Sequence, residues 1–272
     1  PFYVGKPSVI TILDVAYLHF PNLFKKKDIY QLKLWGKFSI GKAKKIITIS
    51  KSTKNDIIKA YGIDSGKIEV IYPGIKQGLM INDKGLTVSD LSKKFGINKD
   101  YILFVGTLQP RKNIVRLIEA FSILKKKDLQ LVIVGKKGWM YEDILNAPDK
   151  FKVKGKVKFL DFVPDEDLPS FYKNAICFVL PSLYEGFGLP ILEAMKYGCP
   201  VLTSNVSSLP EAGGDAALYF DPQNVEDIAK KIDQVISDEN LRSEMIKKGY
   251  EQVKKFSWEK TAEETLKVLE EL

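Results

Sequence analysis

PSLYEGFGLPILEA, residues 181–194, is the stretch on which the reading of this chain turns. It sets two carboxylates, Glu185 and Glu193, around a Gly-x-Gly loop, Gly186-Phe187-Gly188, that runs through Leu189 directly into a helix. Pro190 falls in the first helical turn, where its missing N–H costs nothing, and the glycines let backbone amides crowd toward an anion at the positive helix end. Glu193 lies one turn inside, where an ionised carboxylate can accept hydrogen bonds from two vicinal hydroxyls such as those of a ribose. Glu185 stands in the loop just before the anion. One end of such a site would hold a nucleoside and the other a sugar, the layout a nucleotide-sugar requires. The plainer alternative is an ordinary strand-loop-helix turn in which Glu193 is simply solvated.

Outward from this stretch the chain alternates short β-branched runs with helical ones, the pattern of parallel sheets wrapped by helices on both faces. Strands are expected at 9–13, 46–49 and 69–72, with helices near 29–42 and 54–61, the second opened by a Thr53–Asp56 capping box. After Pro73-Gly74 periodicity is lost through Gln77-Gly78 and Asp83-Lys84-Gly85, the expected interdomain linker. Further strands are expected at 101–105, 129–134, 157–160, 176–180, 201–203 and 217–220, and a last helix at 258–272, apolar at Ala262, Leu266 and Leu269. Ligands of such sheets bind beyond the carboxyl ends of the strands. Those ends carry Gly106-Thr107, Gly135-Lys136, Asp161-Phe162-Val163 and the 181–188 loop.

A second constellation follows the 101–105 strand: Gly106-Thr107-Leu108-Gln109-Pro110-Arg111-Lys112-Asn113. Arg111 and Lys112 at a helix entrance put fixed cations beside backbone donors, which suits a diphosphate leaving group; a polar helix start with two exposed bases is the simpler alternative.

Together the Glu185-x7-Glu193 and Gly-Thr-Leu-x-Pro-Arg-Lys-Asn strings resemble the retaining glycosyltransferases of family 4, group 1, and the resemblance covers nearly the entire chain. It implies a GT-B fold of two Rossmann-like, doubly wound parallel-sheet domains: an acceptor-side domain at 1–80, a donor domain at 81–255, and a C-terminal helix at 256–272 that returns toward the first. The first domain reads as incomplete, because the chain opens on Pro1 and carries only part of a usual α/β unit before the linker. The implied activity is transfer of a hexosyl group, mannose-like or glucose-like, from a nucleoside-diphosphate sugar with retention of configuration. Arg111, Lys112, Gly106, Thr107 and the 186–189 amides would hold the diphosphate, Glu193 the ribose, and Glu185 the sugar. Phe162 and Val163, with the 134–139 stretch, match positions that lie against the nucleobase, although core packing accounts equally well for Phe162. Ser207 to Gly214 matches a family stretch that reads as a turn and short helix. No metal is expected, since the family uses basic residues where other transferases use a divalent cation. One departure matters: where the family commonly has His-Asp facing the donor sugar, this chain reads Leu13-Asp14. Asp14 remains a candidate catalytic residue, and His19, the single histidine, reads as a surface or packing residue.

Composition narrows the rest. A chain of 272 residues, 45% hydrophobic, can bury a core as one large domain or two small ones. With no run of about 18 apolar residues and no signal-peptide pattern, a soluble cytoplasmic protein is expected. Cys177 and Cys199 read as small buried hydrophobes. Much of the formal charge of +8 sits in Lys25, Lys26, Lys27, Lys33, Lys37, Lys42, Lys44 and Lys45, interleaved with Phe24, Ile29, Leu32, Leu34, Trp35 and Phe38. An amphipathic helix with its apolar side on the sheet is expected; peripheral contact with an anionic inner membrane face is the alternative. Partners would be the nucleotide-sugar donor, a glycan or lipid-linked acceptor and, through an open strand edge, a second copy of the chain. A nucleotide-sugar binding module, inactive without further chain, is the competing functional class. Nucleic-acid binding ranks last because the lysines are scattered and no reader motif is present, and a sugar-nucleotide epimerase is disfavoured by the lack of a second acid/base constellation.

Overall fold

The computed structural model describes residues 5–24, 26–75, 86–126 and 128–272. Lys25 and the expected linker at Gln77-Gly78 and Asp83-Lys84-Gly85 lie outside these residues. Among them no helix is long and apolar enough to cross a membrane.

The chain forms two parallel sheets. The first is three-stranded, in the order β1 (Val9–Ile12), β2 (Lys45–Thr48), β3 (Ile68–Val70). Between its strands run the short α1 (Ala16–His19), the long α2 (Lys26–Lys42) and α3 (Lys51–Tyr61). Because side chains alternate across a strand, Ile46 and Ile68 enter a cluster with Tyr17, Ile40 and Ile57 on one face, while Ile47 and Ile71 meet Val268 on the other.

The second unit opens with α4 (Val88–Phe95), capped by a Thr87–Asp90 box. It continues β4 (Tyr101–Val105), α5 (Ile114–Ser122), β5 (Gln130–Val134), α6 (Glu142–Lys150), β6 (Val157–Leu160), α7 (Leu168–Asn174), β7 (Cys177–Leu180), α8 (Leu189–Lys196), β8 (Val201–Ser204), α9 (Leu209–Gly213), β9 (Ala217–Phe220), α10 (Val225–Ser237) and α11 (Glu239–Val253). A final helix, α12 (Trp258–Glu270), packs against the first unit. The six strands run in the order β6-β5-β4-β7-β8-β9, all parallel. Strands buried on both faces need unbroken apolar runs. Accordingly β5 and β7 are wholly buried, whereas β6 and β9, at the edges, are only partly so. Cys177 and Cys199 are core residues, and burial pushes the Cys177 thiol up to about 12, which makes it an unreactive small hydrophobe. After β4 the order moves to one side through β5 and β6 and then reverses to β7. The crevice above β4 and β7 is therefore the topological switch point, where ligands of such sheets bind.

Three local expectations are corrected. The α3 cap is Ser50, whose Oγ accepts from Thr53 N at 3.1 Å, rather than a Thr53–Asp56 box. The helix begins a turn earlier because Glu211 of α9 accepts from Lys51 N and Ser52 N, both at 2.8 Å, so its first donors are satisfied by the other unit. On α2 only Ile40 is buried; Tyr30, Leu32, Leu34 and Trp35 face solvent, because the three-stranded sheet is too narrow to cover more of the helix. On α12 the face turned inward is Thr261, Thr265 and Val268, while Leu266 and Leu269 are exposed. Hydroxyls suit that face, since Thr261 Oγ1 donates to the Tyr72 carbonyl at 2.7 Å.

Glu211 also accepts from Tyr72 Oη at 2.9 Å, so one carboxylate joins α9, α3 and the segment after β3. Glu211→Ala should lower unfolding free energy by about 1–2 kcal/mol, the usual loss for a helix N-cap, in urea titrations followed by circular dichroism.

Candidate functional site

The switch-point crevice is closed by a buried charge cluster. A tight turn at Pro110–Lys112 follows β4 and ends on Asn113, whose positive φ of 59° reverses the chain. The Asn113 amide holds that reversal in place by donating to Pro181 O at 3.0 Å and Pro222 O at 2.7 Å. Arg111 and Lys112 thereby face the loop after β7: Arg111 Nη1 lies 3.0 Å from Glu185 Oε2 and Lys112 Nζ 2.6 Å from Oε1. Ser182 Oγ donates to Oε1 at 2.6 Å. Burial pushes the Glu185 carboxyl up, but the charges of Lys112 and Arg111 and the hydrogen bonds from Lys112 and Ser182 outweigh it and hold the group below the usual carboxylate range.

The main chain of this loop is held as firmly. Glu185 N donates to Ser207 Oγ at 3.0 Å, Ser208 Oγ donates to Glu185 O at 2.8 Å, and Leu183 N donates to Arg111 O at 2.9 Å. Two glycines let the loop enter α8. Gly188 has a φ of 108°, which disfavours any side chain. Gly186 meets the first unit: a Cβ there would strike the Leu13 carbonyl and lie 3.1 Å from Asp14 Cβ. The first residues of α8 are Leu189 and Pro190.

Two cavities flank this helix start, with Leu189 and Trp258 in the walls of both. One, of about 470 Å3, is lined by Asp14, Glu185, Gly186, Phe187 and Gly188 together with Leu13, Ile47 and Ile71 of the first unit. The other, of about 260 Å3, is lined by Glu193, Tyr172, Asp165, Lys196 and Tyr197. Tyr172 Oη donates to Glu193 Oε2 at 3.0 Å, and burial followed by the Glu193 charge keeps that phenol well above its usual range.

The candidates therefore fall into three groups. Asp14, Glu185 and Gly186 to Leu189 share the larger cavity, and Arg111 and Lys112 sit on Glu185. Gly106 adjoins them, with Lys112 Cε 3.7 Å from where a Gly106 Cβ would stand, and Thr107 follows it, exposed. Glu193 occupies the smaller cavity. Phe162 and Val163 stand apart. Val163 is buried in the core, so its side chain is closed to a ligand, and Phe162, 64% exposed, is not core-packed but lies under Lys136 Nζ at 5.2 Å. Leu13 is 62% exposed in the larger cavity, beside Asp14, whose Oδ1 accepts from Ala16 N at 2.9 Å. His19 is in neither cavity's lining; its Nε2 lies 3.0 Å from Asp56 Oδ1. The string Asp165-Glu166-Asp167, Asp-x-Asp in form, is divided between roles: Asp167 pairs with Lys94 at 2.6 Å and Asp165 lines the Glu193 cavity.

Sequence reasoning missed Ser182, Ser207, Ser208 and Glu211, which hold the loop and the two units. The 207–214 stretch was legible as a turn and short helix, and α9 is one, but nothing local says that its serines clasp a peptide more than twenty residues earlier.

Known proteins resemble this chain in sequence and in fold. Residues 88–252 match the family described as Glycosyl transferases group 1, and residues 5–77 match Glycosyltransferase Family 4. The chain is 34% identical over 262 residues to O-antigen chain mannosyltransferase B of Escherichia coli, covering 95% of this chain and 69% of that one. It is 33% identical to the serotype-specific mannosyltransferase WbdA of Escherichia coli, covering 90% of this chain and 30% of WbdA, so it spans under a third of that longer protein. Anabaena Alr3699/HepE in complex with UDP-glucose superposes with a TM-score of 0.83 at 21% identity, over 100% of this chain and 74% of that one.

Removing one member of a buried ion cluster strands the others, at about 3–5 kcal/mol. Glu185→Gln should be destabilised on that scale at pH 7. The folded pKa lies below the unfolded value of about 4.3, so the carboxylate's stabilisation is complete above that value and lost as pH falls through the folded one. The gap between parent and Glu185→Gln in denaturant titrations should therefore close on acidification from pH 6 toward 3.

Proposed function

This chain belongs to the glycosyl transferases of group 1, and we propose that it moves a hexosyl group, mannose- or glucose-like, from a nucleoside-diphosphate sugar to an acceptor hydroxyl with retention of anomeric configuration. The observation that carries the reading is the Arg111–Lys112–Glu185 cluster at the switch point, between one cavity holding Asp14 and another holding Glu193.

The cluster is a ready-made exchange site. A diphosphate brings more negative charge to Arg111 and Lys112 than one carboxylate does, so it competes for both cations and releases Glu185 toward the sugar. Glu193 takes the ribose hydroxyls in the neighbouring cavity. As the bond from the anomeric carbon to the phosphate oxygen breaks, the leaving charge is met by Arg111, Lys112 and the amides of Gly186 to Leu189, and the positive charge on the sugar by Glu185. The acceptor hydroxyl bonds to the anomeric carbon on the face the phosphate leaves, and its proton passes to the departing phosphate oxygen. Basic residues fill the role a divalent cation would otherwise have.

The mannosyltransferase names of the relatives favour mannose, and the UDP-glucose complex of the Anabaena protein favours a nucleoside diphosphate as carrier. A glycan or lipid-linked acceptor fits the mostly apolar first-unit wall of the larger cavity. The outward face of α2, where Tyr30, Leu34 and Trp35 stand among Lys27, Lys33 and Lys37, suits an anionic membrane surface. One observation favours a second reading, donor binding without transfer by this chain alone: Leu13 stands in the larger cavity where the resembling family commonly has histidine.

Calorimetry with UDP and GDP, paired with donor hydrolysis and transfer assays, tests these readings. Binding with turnover supports the first, binding without turnover the second, and no binding removes both. Glu193→Ala should weaken nucleoside-diphosphate binding by about 1–3 kcal/mol; unchanged affinity would remove Glu193 from the ribose. In liposome co-sedimentation, phosphatidylglycerol vesicles should retain the protein and phosphatidylcholine vesicles should not, and equal binding to the two would end the membrane proposal.

A further inference from the structure

Adjacent residues of the loop after β7 point into different units. Glu185 turns back onto Arg111 and Lys112, whereas Tyr184, 4% exposed, enters the first unit. There its Oη donates to Asp56 Oδ2 of α3 at 2.7 Å. The other carboxylate oxygen, Oδ1, lies 3.0 Å from His19 Nε2, and the His19 ring stacks on Tyr184 with centroids 5.0 Å apart and planes 26° from parallel. Phe20 approaches the same ring edge-on at 6.4 Å. Asp56 thus fixes both the hydroxyl and the stacking partner of Tyr184.

The two residues share a further tether. Arg111 Nη1, which pairs with Glu185, also donates to the Tyr184 carbonyl, while Ser207 and Ser208 of the second unit hold the Glu185 amide and carbonyl. Withdrawing Arg111 toward a diphosphate would therefore loosen the Glu185 carboxylate and the Tyr184 peptide in one event. The side chain of Tyr184 stays clamped to α3, so the position Glu185 then adopts depends on where the first unit holds Tyr184.

From this geometry we propose that Tyr184 and Asp56 are positioning residues that set Glu185 from the acceptor-side unit, with His19 as the stacked brace. The proposal rests on the donor-site reading given above. It separates two requirements: nucleoside-diphosphate binding needs Arg111, Lys112 and Glu193, whereas transfer also needs the Tyr184–Asp56 contact. A displacement of about 1 Å at a reacting group can lower a rate by about a hundredfold.

The experiment compares the full chain with Tyr184→Phe, which keeps the ring and its stack, and with Asp56→Ala and Asp56→Asn, the last retaining an oxygen for the Tyr184 hydroxyl. Calorimetry with UDP and GDP should give dissociation constants within about twofold of the parent for all three. Donor turnover should fall about 10- to 100-fold in kcat for Tyr184→Phe and Asp56→Ala, with donor KM little changed, and Asp56→Asn should restore part of it. A second readout needs no turnover. His19 is the single histidine of the chain, so the imidazole signals of protein labelled at histidine report on this cluster alone. Saturating nucleoside diphosphate should shift them in the parent, and that shift should shrink in Tyr184→Phe. Nucleotide binding seen by calorimetry with a silent His19 signal, or parental kcat in Tyr184→Phe, would overturn the positioning role and leave the donor site standing. Absence of any nucleotide binding by the parent would overturn both.

Discussion

A carboxylate withdrawn from water is unfavourable by several kcal/mol unless opposite charges and hydrogen-bond donors meet it, and the centre of this molecule is arranged to meet it at Glu185. The cations come from the turn after β4, the hydroxyl of Ser182 from the loop after β7, and the main-chain clasps from Ser207 and Ser208 after β8. These segments are far apart in the chain and converge only because β4, β7 and β8 are neighbours in the sheet. Strand order and charge balance therefore depend on each other. A different order would leave two cations and one carboxylate buried without partners.

The same loop ties the two units together. Gly186 lies against the Leu13 carbonyl, Tyr184 enters the first unit, and Glu211, also of the second unit, caps α3. Behind them Tyr72, Phe187 and Phe256 form an aromatic cluster with centroids 5.4 to 5.7 Å apart, where the first segment crossing between the units meets the last. The charge cluster and the first-unit wall of the larger cavity are thus parts of one packed interface.

The sheets were legible because short, mostly apolar runs alternate with helical ones, and 101–105, 157–160 and 217–220 are strands with the bounds read from sequence. Boundaries and faces failed where the other unit intervened. The α3 cap moved because Glu211 supplies acceptors from α9, and Leu266 and Leu269 of α12 turned outward because the helix sets Thr261 against the Tyr72 carbonyl and Val268 against Ile47 and Ile71. Each local signal was real, but a partner distant in sequence outweighed it.

Sequence alone determined the α/β class, the family strings around Arg111, Lys112, Glu185 and Glu193, and the absence of histidine beside Asp14, since all of these follow from residue type at fixed spacing. Only the tertiary structure decided that Glu185 is neutralised by Arg111 and Lys112, that Glu193 faces a separate cavity, and that Tyr184 and Asp56 join the units. Those are contacts between segments brought together by strand order, and neither periodicity nor spacing along the chain encodes the partner of a buried charge.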